Sequence, residues 1–105
     1  MSLVHHMEKS RREEIRWHLL SIANLQRPEG VQSRAMLGVV KAAFEDASEL
    51  EIRRELDYLE ERKLVQITKD PLGYWKVELT RHGIDFVEYT IEAQPGIARP
   101  KVGGA

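Results

Sequence analysis

Arg53 and Arg54 stand side by side in the run Ser48-Glu-Leu-Glu-Ile-Arg-Arg-Glu-Leu-Asp-Tyr-Leu-Glu-Glu-Arg-Lys63. Of all residues in the chain, these two are best suited to recognition chemistry. A guanidinium fork matches the O6 and N7 acceptors of guanine, which makes arginine the commonest reader of base edges. Lys69, Lys76 and Arg81 follow, flexible cations of the kind that meet phosphate oxygens and position a partner without specifying sequence. Tyr74 adds an aromatic face on which a base can stack. A further group, Lys9, Arg11, Arg12 and Arg16, crowds an earlier stretch. The opposing signal is charge. Between Ser48 and Lys63 six acids stand against four bases, a net of −2, and acids carried into a groove meet phosphate repulsion. A solvated helix with internal ion pairs, such as Glu49 with Arg53, accounts for the same residues equally well.

Other chemistries find less support. Without cysteine there are no disulfides, thiolate metal sites or cysteine nucleophiles. His5, His6, His18 and His82 have no metal-ligand spacing, and no Gly-rich phosphate loop, nucleophile elbow or HExxH is present. The expectation is a protein that is not an enzyme and uses no cofactor or metal. With 16 basic and 17 acidic residues the net charge is −1, so binding to nucleic acid needs a local basic face in place of a general coat. Apolar runs are too short for a membrane span. The first residues lack the apolar stretch of a signal peptide, so a cytoplasmic location is expected.

The elements that must position these side chains follow from periodicity. Ser48 and Glu51 form a capping-box pattern, and Ile52, Leu56 and Leu59 recur at helical spacing, placing Arg53, Arg54, Asp57 and Glu61 off the apolar stripe. Residues 1–9 carry no periodicity and are expected to be flexible. A second capping box at Ser10–Glu13 opens a helix from about Arg11 to Gln26 with Ile15, Leu19 and Ile22 inward. Val31-Gln32 reads as one extended step. Ser33 caps a helix from Arg34 to Phe44, in which Gly38 suggests a close helix crossing. After Lys63 the period changes to two. Val65 and Ile67, then Trp75, Val77 and Leu79, alternate with polar residues around the turn cluster Lys69-Asp70-Pro71-Leu72-Gly73, which predicts a hairpin. Thr80 caps a last helix from Arg81 to about Glu92. The domain is thus expected over 10–93, and residues 94–105, rich in Pro and Gly, as an extended or disordered tail.

The order of helix, helix, helix, hairpin, helix resembles the winged helix-turn-helix superfamily. The residues that carry the likeness are Glu49-Leu-Glu-Ile-Arg-Arg-Glu-Leu-Asp-Tyr-Leu-Glu-Glu-Arg-Lys-Leu-Val65 and Leu79-Thr-Arg-His-Gly83. The first is similar to the family's recognition helix running into the wing, with Lys63 where many relatives have glycine. The second is similar to the Leu-Thr-x-x-Gly turn into the helix after the wing. Gly83-Ile-Asp-Phe-Val-Glu-Tyr-Thr and Pro95-Gly-Ile-Ala-Arg-Pro100 resemble small winged-helix proteins of Mu-like phages and prophages. The resemblance implies an α+β fold and a DNA-binding regulator of transcription. Arg53 and Arg54 would then contact bases or phosphates, and Lys69, Lys76, Tyr74 and Arg81 would contact the backbone or bases from the wing. Winged helices also serve protein contacts alone, so a protein-binding adaptor or assembly factor is the alternative. Trp17 and Leu20, and Phe86 and Tyr89, lie off their helices' main stripes. A domain of this size has little interior to hold both pairs, so a homodimer through the two terminal helices is expected.

Overall fold

A computed structural model describes residues 2–102. Four helices pack around a small antiparallel sheet: α1 is Leu3–Leu25, β1 Val31–Gln32, α2 Ser33–Val40, α3 Glu49–Glu61, β2 Val65–Lys69, β3 Trp75–Leu79 and α4 Arg81–Val87. The architecture is α+β. The sheet has three strands in the order β1-β3-β2 where the hairpin alone was expected. The extended step at Val31-Gln32 becomes a strand by pairing with β3, Val31 opposite Val77 and Gln32 opposite Lys76.

The central helix forms as its residues dictate. Ser48 Oγ accepts from the Glu51 N–H at 3.2 Å, and Ile52, Leu56 and Leu59 are wholly buried. The helix ends in paired bonds, Leu64 N–H to Leu59 O at 3.0 Å and Lys63 N–H to Glu60 O at 2.9 Å, the Schellman pattern. That closure puts Lys63 at φ +67°, in the left-handed region where a side chain is strained. The chain then turns into β2 and, at the far end of the hairpin, Gly73 adopts φ +88°. Asp70 Oδ1 accepts from the N–H groups of Leu72 and Tyr74, both at 2.9 Å, and shapes this tip. Val65 and Val77 are buried and Ile67, Trp75 and Leu79 pack partly against the core, as the alternation predicts.

Thr80 and Gly83 fasten the last helix. Thr80 Oγ1 accepts from the Gly83 N–H at 3.0 Å and donates to Lys63 O at 2.6 Å. A Cβ at Gly83 would collide with the Leu64 carbonyl oxygen, so glycine lets α4 lie directly on the joint between α3 and β2.

Several expected boundaries move. The first helix begins at Leu3, not Arg11; Ser2 caps it, accepting from the His5 N–H at 3.2 Å, and Ser10 lies in its interior. The second helix stops at Val40, and the chain reaches Phe44 through tight turns. Gly38 marks no close crossing, because a Cβ there would meet nothing within 4 Å. The last helix stops at Val87, where Tyr89 takes φ +63° and the Thr90 N–H bonds to Asp85 O at 2.8 Å. The chain after it is irregular but held. Ile97 is buried, the Ala98 N–H donates to Glu13 O at 3.1 Å, and Arg16 Nη1 donates to Gly96 O at 2.9 Å. Residues 96–98 of the expected extended tail are therefore packed on α1, and Arg99 and Pro100 are bonded to the end of α4 and the turn after it.

Candidate nucleic-acid interface

The acids of α3 decide what this helix can present. Glu49 Oε1 accepts from Ser33 Oγ at 2.7 Å and from Arg53 Nε at 3.2 Å, so the expected Glu49–Arg53 pair exists. Glu51 does not close the capping box with its side chain; its carboxylate takes both arms of Arg11, at 2.8 and 2.9 Å. A bidentate arginine outcompetes a local backbone N–H for a carboxylate. Glu55 is buried against Arg16 Nε at 2.7 Å, and Glu60 Oε2 accepts the Ile67 N–H at 2.9 Å. Asp57 and Glu61 are the exposed acids of the helix, beside exposed Arg54, Arg62 and Lys63.

Arg53 is committed within the chain. Its Nη2 donates to Gly73 O at 2.6 Å, and its guanidinium lies 4.7 Å from the centre of the Trp75 ring. Lys69 Nζ lies 4.3 Å from the centre of the same ring, as its register opposite Trp75 requires. Ser33, Glu49, Arg53 and Gly73 thus join α2, α3 and the hairpin tip in one hydrogen-bonded line. Arg34, at the start of α2, has its guanidinium 5.5 Å from the Tyr74 ring, on the side of the tip that also carries Thr68 and Lys76. Arg54 is exposed and has no ion-pair partner among the described residues.

Lys76 and Arg81 lie apart from that group. Lys76 is opposite Thr68, and strand alternation sends it to the other face of the hairpin from Lys69. Its Nζ stands 3.6 Å from Glu78 Oε1 and its stem runs against Gly30. Arg81 follows the far end of β3 and sits by the end of α3, since Thr80 is bonded to Lys63. The structure brings Arg53, Lys69 and Trp75 together, turns Tyr74 to the face that carries Thr68 and Lys76, and leaves Arg81 at the opposite end of the sheet. Arg34 was missed; its place two residues after a strand-like step gave no sign that it would meet the tip.

The four residues expected at a dimer interface form a cluster inside one chain. Leu20 and Phe86 are wholly buried, Trp17 is half-buried, and Trp17 meets Phe86 and Tyr89 with ring centroids 6.2 and 6.3 Å apart. Arg99 covers the outside, 4.9 Å from the Phe86 ring and 4.4 Å from the Tyr89 ring, and bonds the carbonyls of Phe86 and Ile91. Residues 97–100 add to the interior that holds this cluster, Ile97 being buried and Pro100 O accepting from the Tyr89 hydroxyl.

At the base of α1, Arg11 also reaches Asp46 Oδ1 at 2.9 Å. The hydrogen bond to Glu51, reinforced by Asp46, holds its guanidinium pKa further above the ordinary value, and Arg11 in turn holds the Asp46 carboxyl below the usual carboxylate range. Among the described residues, no three acidic or histidine side chains are grouped to hold a metal ion. No described helix is long and apolar enough to cross a membrane. Comparison with known proteins gives no match, whether to family models, curated proteins or solved structures.

Proposed function

We propose that this chain is a winged-helix domain that binds duplex DNA, α3 lying toward a groove and the β2–β3 tip beside it on the backbone. The observation that carries this reading is the fate of the α3 acids. Glu49, Glu51 and Glu55 are ion-paired with Arg53, Arg11 and Arg16, which offsets three of the six acidic charges behind the phosphate repulsion that the composition implies, and the Glu60 carboxylate is turned to the Ile67 N–H. Arg54 is the base-contacting residue in this reading, and Lys69 and Arg34 meet phosphates. Arg53 holds the tip at a set distance from the helix. A regulator of transcription, of the type the Mu-like phage proteins suggest, is the biological role this reading favours.

The test is a titration of short duplexes at low and moderate salt. Lys69→Ala should weaken binding to all sequences and lower the salt slope by about one contact. Arg54→Ala should cost about 1–3 kcal/mol on a preferred site and blunt discrimination there. Lys76→Ala, on the other face, should matter less than Lys69→Ala. A second reading, a winged helix that docks on protein, draws on Leu50 and Val39, 59 % and 55 % exposed on α3 and α2. Absence of any duplex binding at low salt decides for it.

A further inference from the structure

Where α1 and α3 run side by side, the chain after α4 returns and closes one end of a cleft. Lys9, Arg12 and Arg16 recur on one side of α1 at helical spacing. Tyr58 and Arg62, four residues apart on α3 and its closing turn, line the cleft with them. Pro95 and Gly96 complete the lining, around a space of about 310 Å³. That is the lower end of the range for small-ligand sites, about 300–1,000 Å³.

Arg16 is fixed and already balanced. Its Nε donates to buried Glu55 at 2.7 Å and its Nη1 to Gly96 O at 2.9 Å. The Tyr58 ring centre lies 3.5 Å from that guanidinium and 4.6 Å from the guanidinium of Arg62. Gly96, at φ +92°, comes so near the Tyr58 hydroxyl that a Cβ would overlap it.

The other charges are not balanced. Lys9, Arg12 and Arg62 are exposed, and none has an ion-pair partner among the described residues. Against these three cations the cleft is lined by one carboxylate, Glu13; Asp57 and Glu61 of α3 do not line it. Further along, past the paired Arg11 and Glu51, Glu8 and Arg54 add one charge of each sign. The excess is therefore local, and three against one leaves two positive charges. Gathered cations repel one another until an anion joins them. A phosphate monoester, at about −1.5 to −2 near pH 7, has the charge that fits.

We infer that this cleft binds a small phosphate-bearing molecule, whether or not α3 and the tip bind DNA. Arg12 and Arg62 offer forks to phosphate oxygens, and Lys9 adds a point charge. Tyr58 and Pro95 border the organic part of the ligand. The backbone phosphates of a duplex carry the same chemistry, and the test separates the two sources.

Inorganic phosphate and pyrophosphate are the probes, titrated at constant ionic strength and followed by calorimetry and two-dimensional NMR. Both should bind, pyrophosphate more tightly, with the Gly96 amide among the shifted signals. Arg12→Ala and Arg62→Ala should each weaken binding by about tenfold, the share of one charge-assisted hydrogen bond. Glu13→Gln should tighten it by removing the opposing charge. Lys41→Ala, which removes an exposed charge elsewhere, should leave it unaltered. Circular dichroism should be the same for all four variants. No binding of pyrophosphate by about 1 mM overturns the proposal, as does an equal loss in Lys41→Ala, the sign of charge attraction without a seat. A short duplex that displaces pyrophosphate assigns the cleft to the DNA backbone and also overturns it. A duplex that binds without displacing pyrophosphate supports it, and so does retained pyrophosphate binding by a chain that binds no duplex, so the two readings fail separately.

Discussion

Two residues with side chains sit in the left-handed region at helix ends, Lys63 at φ +67° and Tyr89 at φ +63°, and glycine should act in opposite directions at the two. The local strain of such a residue is on the order of 1–2 kcal/mol, offset by about 0.5–1 kcal/mol for the extra freedom glycine has in the unfolded chain. Lys63 is exposed, and its side chain has no hydrogen bond or ion pair among the described residues. Lys63→Gly should therefore stabilise the domain by about 0.5–1 kcal/mol. Tyr89 has the same backbone but a working side chain. Its ring meets Trp17 and lies under Arg99, and its hydroxyl donates to Pro100 O at 2.6 Å. An aromatic pair, a cation–π contact and a hydrogen bond each contribute about 0.5–1.5 kcal/mol. Their loss outweighs the relief of strain, and Tyr89→Gly should destabilise by about 1–2 kcal/mol. Urea unfolding followed by tryptophan fluorescence measures both, and Lys63→Ala, which keeps the strain and removes the charge, should be nearly neutral. If Lys63→Gly falls below wild type, or matches Lys63→Ala, the strain at this position is not what the geometry implies.

Glu55→Ala should cost about 3–5 kcal/mol in the same assay, because it leaves the Arg16 guanidinium buried without its carboxylate; a loss under 1 kcal/mol would mean that water reaches the pair. Gly83→Ala should lower the melting temperature strongly, since the Leu64 carbonyl occupies the place of the new methyl, and a wild-type melting curve would contradict the packing of α4. Arg53→Ala should leave the core intact and speed amide exchange at the hairpin tip, where its bond to Gly73 O is lost; unchanged exchange there would remove Arg53 from the role of a brace. For Asp46, the folded carboxyl pKa lies below the unfolded value of about 3.9. Its contribution is present above that value and is lost as pH falls through the folded pKa. A carboxyl titration by NMR should put the Asp46 midpoint below that of free aspartate in wild type, and move it upward in Arg11→Met.

What the sequence made legible was what local rules decide. The α3 cap, its apolar stripe and the tip at Gly73 depend on residues within a few positions of one another, and all stand where the spacing puts them. What it hid depends on distant partners. A two-residue strand has no period of its own, and Val31-Gln32 is a strand only because β3 runs beside it. The chain after Val87 reads as Pro- and Gly-rich coil until Arg16, Arg99 and Glu13 supply its hydrogen bonds. Glu51 has the right type for a capping box, but Arg11 from another helix takes its carboxylate. Tyr89 ends α4 early without glycine to announce it. The candidate site divides in the same way. Arg53 and Lys69 share a face with Trp75, while Tyr74 and Lys76 take the other, and the alternation that separates Lys69 from Lys76 was readable from the hairpin register alone.

A near-neutral composition conceals two populations of cations with different work. Arg11, Arg16, Arg53 and Arg99 each bond a segment outside their own helix or loop: the Asp46 turn, the Gly96 bend, the hairpin tip and the end of α4. Three of them also cover aromatic rings, at Phe44, Tyr58 and Trp75, and Arg99 covers two. A planar fork with five donors suits that bracing, and lysine in its place would not reproduce it. Arg11, Arg16 and Arg53 are paired with Asp46, Glu51, Glu55 and Glu49 and contribute little to the outer field, while Arg99 bonds carbonyls. Of the exposed cations, Arg34, Arg54, Arg62, Lys63 and Lys69 lie on α3, its closing turn, the adjoining tip and the start of α2, while Lys9, Arg12, Arg27, Lys41, Lys76, Arg81 and Lys101 are exposed elsewhere. Exposed charge, and not total charge, sets the potential a phosphate backbone meets at a distance. That is why a chain of net −1 can be proposed as a DNA-binding domain, and why substituting Arg54 or Lys69 should alter duplex affinity while substituting Arg16 should first alter stability.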